Sequence, residues 1–184
     1  MSGGAPAPVR AAGPADAAGI AAVYAPYVTD SVASFEAVPP DAAEVRQRML
    51  AEPRLPWLVA TRGSEVVGYC YASPHRGRAA YRWSVDCSVY LAASEHRRGT
   101  GRALYGELFA LLRALGHVTV LAGITLPNPA SVGLHASLGF TPVGVYRAVG
   151  FKDGRWHDVG WWQRALQDPP QVPAEPRRWD PTAT

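Results

Sequence analysis

Apolar positions along the chain change spacing several times, and each change marks an element. Residues 102–115 carry the clearest helical pattern: Leu104, Leu108, Leu111, Leu112 and Leu115 form one stripe, and Gly116 stops it. The run just before, residues 81–91, reads as a long strand of apolar and β-branched residues. Alternation puts Asp86, Ser88 and Tyr90 on one face of that strand and Val85, Cys87, Val89 and Leu91 on the other. Residues 57–61 and 66–72, on either side of Gly63-Ser64-Glu65, predict a strand hairpin. Residues 118–124 have the composition of a buried strand, and 128–138 predict a short helix closed by Gly139. Residues 143–149 and 159–166 are the last strands, joined across Asp153-Gly154.

Nearer the N-terminus, residues 9–12 predict a short strand. Asp16 is an N-cap candidate for a helix reaching about Thr29, with Ile20, Val23, Tyr24 and Tyr27 at helical spacing. Residues 31–38 read as a loop or irregular strand. Pro39-Pro40-Asp41 starts a second helix with Val45, Met49 and Leu50 on one face, stopped near Pro53. Strands in a hairpin, then strand-helix-strand-helix, then a closing hairpin predict an α+β fold with parallel strands in the middle. One domain over residues 9–166 is expected, after a disordered lead at 1–8 and before a Pro-rich, loose tail at 167–184.

Composition narrows this picture modestly. The chain has 184 residues, enough for one domain with a substantial core, and 48% of them are apolar. No apolar run of membrane-spanning length occurs, and the Gly/Ala/Pro-rich start lacks the form of a signal peptide, so no membrane association is expected. Cys70 and Cys87 sit in apolar runs and read as reduced core residues of a cytoplasmic protein. The net charge of +3 suits anionic small molecules, and its scattered basic residues do not form a nucleic-acid surface. The five histidines, His75, His96, His117, His135 and His157, show no metal-ligand spacing, and no metal is expected.

Two motifs carry chemistry. In the first, the strand ending at Leu91 meets a turn, His96-Arg97-Arg98-Gly99-Thr100-Gly101, that feeds the strongest helix. A strand–turn–helix of this kind leaves several backbone N–H groups unpaired, and these hold phosphate well. No Gly-Lys-Ser/Thr follows, so it is not a nucleotide P-loop, and it lacks the third glycine of a dinucleotide fingerprint. An ordinary tight turn with solvated arginines is the plain alternative. In the second motif, Asn128 stands at the end of the next strand and opens a helix that runs into Leu138-Gly139-Phe140.

Together these motifs resemble the GCN5-related N-acetyltransferase (GNAT) superfamily over roughly residues 9–166. The resemblance is closer to its phosphinothricin N-acetyltransferase branch. The residues that carry it are Pro56-Trp57-Leu58-Val59-Ala60, Ala80-Tyr81 with Trp83, Ser88-Val89-Tyr90, Leu126-Pro127-Asn128 and Leu134-His135. A long run adds to these, from Gly150-Phe151-Lys152 to Trp156-His157-Asp158-Val159-Gly160. The resemblance implies a mixed, twisted central sheet of six to seven strands flanked by about four helices. It also implies acetyl-CoA as co-substrate, an amino-acid-like amine as acceptor, and a homodimer.

Residue by residue, the resemblance implies that Arg97, Arg98, Gly99, Thr100, Gly101 and Arg102 cradle the coenzyme A pyrophosphate. Val89, Tyr90, Leu91, Asn128 and Ser131 are expected to hold the rest of that molecule. His96 stands where the superfamily usually has Gln or Arg, and backbone geometry is expected to preserve binding. Asp86 occupies the position of the branch's glutamate base, one methylene shorter; a hydrogen-bonded strand acid or a cation-binding group is the alternative. A bulge is expected in this strand, with the Val89 N–H as oxyanion donor. His135 is expected as acid or proton relay, against a purely structural role. Arg76, Arg78, Tyr81, Thr125 and Val159 are expected around the substrate, although Arg76 and Arg78 also read as a solvated basic loop. Trp156, His157 and Asp158 read as structural or dimer-related.

The function expected is acetyl transfer to phosphinothricin or a similar amino-acid analogue. Methionine sulfoximine or sulfone, another amino acid, a peptide terminus, or mere acyl-CoA binding remain as alternatives.

Overall fold

The computed structural model describes residues 5–181. Seven strands form one sheet, in the order β1 (Val9–Ala11), β2 (Trp57–Arg62), β3 (Glu65–Pro74), β4 (Ser84–Leu91), β5 (Thr119–Leu126), β7 (Arg155–Ala165) and β6 (Thr141–Lys152). All neighbours are antiparallel except β4 and β5. The helices are α1 (Ala17–Thr29), α2 (Ala42–Leu50), α3 (Thr100–Leu115) and α4 (Pro129–Ser137). Strand and helix numbers agree with the mixed architecture expected.

The sheet separates two apolar layers. On one face Leu58, Ala60, Cys70, Ala72, Val85 and Cys87 pack under Leu104, Leu108 and Leu112 of α3. On the other, Trp57, Val59 and Tyr69 pack under Ile20, Val23 and Tyr24 of α1 and Val45 and Met49 of α2. The leucine stripe of α3 is therefore buried as its period requires. Gly116 closes the helix in a left-handed conformation, φ 97°. Asp41 caps α2 by accepting the Glu44 N–H at 2.8 Å. Asp16 precedes α1 but its side chain makes no cap bond to that helix; its carboxylate receives the Arg10 guanidinium at 2.7 Å and, capping the short 3-10 turn 14–16, the Gly13 N–H at 2.8 Å.

Four expectations are corrected. The strand expected from Tyr81 starts at Ser84, because residues 79–81 form a 3-10 turn in which the Tyr81 and Arg82 N–H groups bond back to Arg78 and Ala79. No bulge interrupts β4: it pairs with β3 one for one from Gly68↔Leu91 to Pro74↔Val85. The expected lead of 1–8 falls partly outside the described residues, but the Ala7 N–H reaches Thr100 Oγ1 and Ala7 is buried. Among the described residues the tail has no helix or strand beyond Ala165, yet it is tied down: Trp179 is 5% exposed, the Arg177 N–H bonds to Leu115 O, and ion pairs join Arg82 to Glu175 and Arg178 to Glu52. Its last three residues, 182–184, lie outside the described residues. One apolar side chain finding a pocket outweighs the proline-rich composition around it.

One topological feature positions the site. β4 and β5 are Cα partners only at Ser84↔Thr119, Val85↔Val120 and Asp86↔Leu121. Beyond that, β4 stays with β3 and β5 stays with β7 along their full lengths. The sheet therefore splits after Asp86 and opens a wedge toward Leu91 and Leu126.

Candidate active site

The wedge holds a cavity of about 790 Å³, walled by β4, β5 and the N-terminal ends of α3 and α4. Pairing register dictates what the β4 wall offers. At one end of the β3/β4 ladder the Ala92 N–H bonds to Val67 O, and at the other the His75 N–H bonds to Ser84 O. Both bonds make residues 85, 87, 89 and 91 the pairs that do not exchange hydrogen bonds with β3. The N–H and C=O of Val89 and Leu91 therefore point toward the edge that β5 has left. At Leu91 that edge is occupied: the Tyr27 hydroxyl donates to its carbonyl at 2.7 Å and accepts its N–H at 3.3 Å. At Val89 it faces the cavity.

The turn before α3 gathers backbone donors and positive charge. Arg97 and Gly99 both adopt the left-handed region, φ 61° and 83°, which turns successive N–H groups toward the helix start. Beneath it Glu95, 3% exposed, accepts from Arg62 Nε at 3.0 Å and from the Thr100 hydroxyl at 2.6 Å. The Arg62 guanidinium holds the Glu95 carboxyl below its usual range. Gly101 lets α3 pack closely here, since a Cβ would lie 3.3 Å from Leu134 Cδ2 and 3.4 Å from Leu91 Cδ1, and the leucine tips would have to give by a few tenths of an ångström. Arg97 and Arg102 add positive charge at the rim. Free N–H groups, a dipole and two guanidiniums fit a pyrophosphate.

The opposite wall is set by α4. Asn128 Oδ1 accepts the Ser131 N–H at 3.0 Å and so caps the helix. His135, one turn on, is 3% exposed. Its Nδ1 lies 2.8 Å from Ser131 O and its Nε2 lies 3.2 Å from Tyr105 Oη. A carbonyl only accepts, so the network assigns the proton to Nδ1 and makes Nε2 the acceptor of the Tyr105 hydroxyl. Burial lowers the His135 pKa, which keeps the ring neutral. Tyr105 also contacts the Cys87 thiol, whose pKa burial pushes up to about 12. Both His135 nitrogens are thus engaged inside the protein.

The Asp86 face of the sheet carries a second cluster. Asp86 Oδ1 lies 2.7 Å from Nδ1 of His75, the residue just after β3. Burial raises the Asp86 pKa, with His75 and Arg76 pulling the other way. The His75 ring meets Tyr81 and Trp161 edge-on, each at 5.9 Å. Arg76 lies over Trp161 at 5.9 Å. Trp161 in turn lies on Gly123, where a Cβ would be 3.3 Å from its ring. Thr125 and Val159 are Cα partners on the same face.

Residues 9–161 match the model of the acetyltransferase (GNAT) domain. The chain belongs to the GNAT acetyltransferase family. It is 39% identical to a phosphinothricin N-acetyltransferase from Streptomyces viridochromogenes, over 94% of this chain and 92% of that protein. It is 35% identical to an L-methionine sulfoximine/L-methionine sulfone acetyltransferase from Pseudomonas paraeruginosa, over 91% and 99%. A crystal structure of a GNAT superfamily phosphinothricin acetyltransferase from Sinorhizobium meliloti, in complex with AcCoA, superposes with a TM-score of 0.86. It is 38% identical and matches 92% of this chain and 94% of that one.

For an acetyltransferase the placement of the expected residues is informative. Val89, Tyr90, Leu91, Arg97, Gly99, Gly101, Arg102, Thr125, Asn128, Ser131 and His135 line the cavity together. Arg98 stands outside that lining, and the Thr100 side chain is turned inward onto Glu95. Asp86 sits at the closed end of the wedge, one alternate position from Ser88, which lines it. Arg76 and Tyr81 border a smaller cavity of about 270 Å³ beside the C-terminal segment, and Arg78 is exposed. Four residues were not anticipated for the site: Tyr27, His75, Tyr105 and Trp161. His75 had a local signal, a histidine between Pro74 and Arg76 in the basic connection. Tyr27 reads as a helical-spacing position of its helix and Trp161 as apolar surface of the closing strands, and only the packing reveals where these two and Tyr105 stand. Among the described residues no group of His, Cys, Asp or Glu is arranged to hold a metal ion, and no helix is long and apolar enough to cross a membrane.

Proposed function

We propose that this acetyltransferase moves the acetyl group of acetyl-CoA onto the amine of phosphinothricin or a similar amino-acid analogue. The observation that carries the reading is the wedge between β4 and β5. One end is lined for a pyrophosphate by Arg97, Gly99 and Arg102, and the other closes on an acid, Asp86. Acetyl-CoA supplies the activated thioester. The protein supplies the rest. The start of α3 holds the phosphates, and the Val89 N–H faces the carbonyl oxygen as charge gathers on it. Donors of this kind are worth about 3 kcal/mol. The Asp86 side of the wedge receives the proton that the ammonium must lose before it can attack. Arg76 and Tyr81 flank that side and suit a substrate carboxylate or phosphinate. Tyr105 and His135 both line the cavity; a bracing or relay role for His135 is favoured, since its one ring proton is already given to Ser131 O.

A second reading, acetylation of methionine sulfoximine or sulfone, is favoured by the similarity to the Pseudomonas relative along nearly its whole length. The two acceptors share an α-amino acid with a tetrahedral, oxygen-bearing side-chain end. The closing hairpin supports a homodimer: Val143, Val145, Val149, Phe151 and Trp156 are exposed there. The test is thiol release from acetyl-CoA with phosphinothricin, methionine sulfoximine, glutamate and a short peptide. Turnover with either of the first two is the expected result, and reaction with the peptide alone would overturn it.

A further inference from the structure

We infer that His75 is the group that takes the amine proton, with Asp86 as its positioning residue. This rests on the acetyl-transfer reading above and changes which atom does the work. The geometry is specific. His75 Nδ1 and Asp86 Oδ1 are 2.7 Å apart. A carboxylate accepts, so the ring proton belongs on Nδ1, and the lone pair on Nε2 is left on the far side of the ring. Two rings, Tyr81 and Trp161, meet the imidazole edge-on and fix its plane. The His75 side chain keeps 13% of its surface exposed, so the ring is held without being sealed.

The pairing also resolves the length of Asp86. An aspartate is one methylene short of a glutamate, and a ring bonded to it extends the reach from the strand. Chemistry favours the ring as well. An ordinary imidazole takes a proton at a pH about 2.6 units higher than an ordinary aspartate, so taking one from an ammonium is less uphill. The charged and titratable groups around the ring are Asp86 on β4, Arg76 beside it in the chain and Tyr81 in the following turn; Trp161 on β7 bears no charge.

The step balances simply. The ammonium gives one proton to His75 Nε2, and the imidazolium is stabilised by Asp86 through Nδ1–H. The amine forms its C–N bond as the C–S bond breaks. The nitrogen then sheds a second proton; of the two, one ends on the coenzyme A thiol and the other in solvent.

The test compares His75→Gln and Asp86→Asn with the parent protein. kcat/KM is followed against pH with the best acceptor, and acetyl-CoA affinity by calorimetry checks that the fold is intact. With His75 as base, H75Q lowers kcat/KM by about 100-fold or more near neutral pH. Its acid limb moves to higher pH, because the amine must then lose its proton unaided. D86N moves the limb the other way, since a ring without its carboxylate holds a proton less well. The reverse pattern, a mild H75Q and an upward limb in D86N, assigns the base to Asp86 and overturns the proposal. No turnover by the parent protein on any amine overturns the acetyl-transfer reading itself, and the base role with it. Imidazole nitrogen NMR of the protein alone gives an independent readout. The His75 ring is expected as the Nδ1–H tautomer, and an Nε2–H form in the parent protein would also overturn the proposal.

Discussion

The Tyr27 hydroxyl spans both backbone groups of Leu91, donating to its carbonyl at 2.7 Å and accepting its N–H at 3.3 Å. A side chain from α1 thus occupies part of the β4 edge that the parting of β5 exposes, and leaves Val89 as the edge residue facing the cavity. Tyr27→Phe removes both contacts and leaves the Leu91 carbonyl half-buried without them. A loss of about 1–3 kcal/mol in chemical denaturation is expected.

Thr100 ties three segments together, since its hydroxyl donates to Glu95 and accepts the Ala7 N–H. Thr100→Val keeps the volume and removes both bonds. About 2 kcal/mol of stability is expected to be lost, as the buried Glu95 carboxylate keeps only Arg62. Faster amide exchange at Ala7 would report the released lead. Unchanged protection there would contradict this account of the turn.

Stability should climb with pH in two stages. Asp16, Glu36 and Glu95 all have lowered folded-state pKa values, through Arg10, Arg48 and Arg62 respectively. Their contribution is present above the unfolded carboxylate range, near pH 4, and is lost as pH falls through the folded values. His117 and His135 are lowered by burial, so the unfolded chain binds the extra protons as pH drops below about 6.5. Stability therefore declines from there downward. Asp86, raised by burial, opposes the first stage. Urea midpoints between pH 3 and 8 measure this, and His135→Asn should flatten the upper stage.

Trp179 anchors the C-terminal segment, 5% exposed and with Arg54 over its ring at 5.8 Å. Its N–H bonds to Arg54 O. Trp179→Ala is expected to cost about 3 kcal/mol and to lower the melting temperature by several degrees. A tail that contributes nothing would leave the melt unchanged.

Much of this protein is determined by local sequence alone. The leucine stripe of α3 and Gly116 set a helix and its end, because period and φ are local properties. Most strands follow for the same reason, although β4 starts at Ser84 and not at Tyr81, and so does the helix that Asn128 opens. The turn between β4 and α3 was legible too, since the first N–H groups of any helix lack partners within it. Resemblance added the cofactor and the acceptor class.

Other features depend on partners far apart in the chain, and only tertiary structure decided them. The wedge exists because β5 is claimed by β7, residues 155–165, and β4 by β3, residues 65–74. The tail lies down because Trp179 meets Arg54, 125 positions earlier. His135 turns inward because Tyr105 and Ser131 O satisfy both its nitrogens. Asp86 read as a lone acid one methylene short. Register places Ser73 opposite it, and so brings His75, two residues on, to its carboxylate. Spacing along a chain fixes which face a side chain takes; hydrogen bonds across strands fix what it meets there.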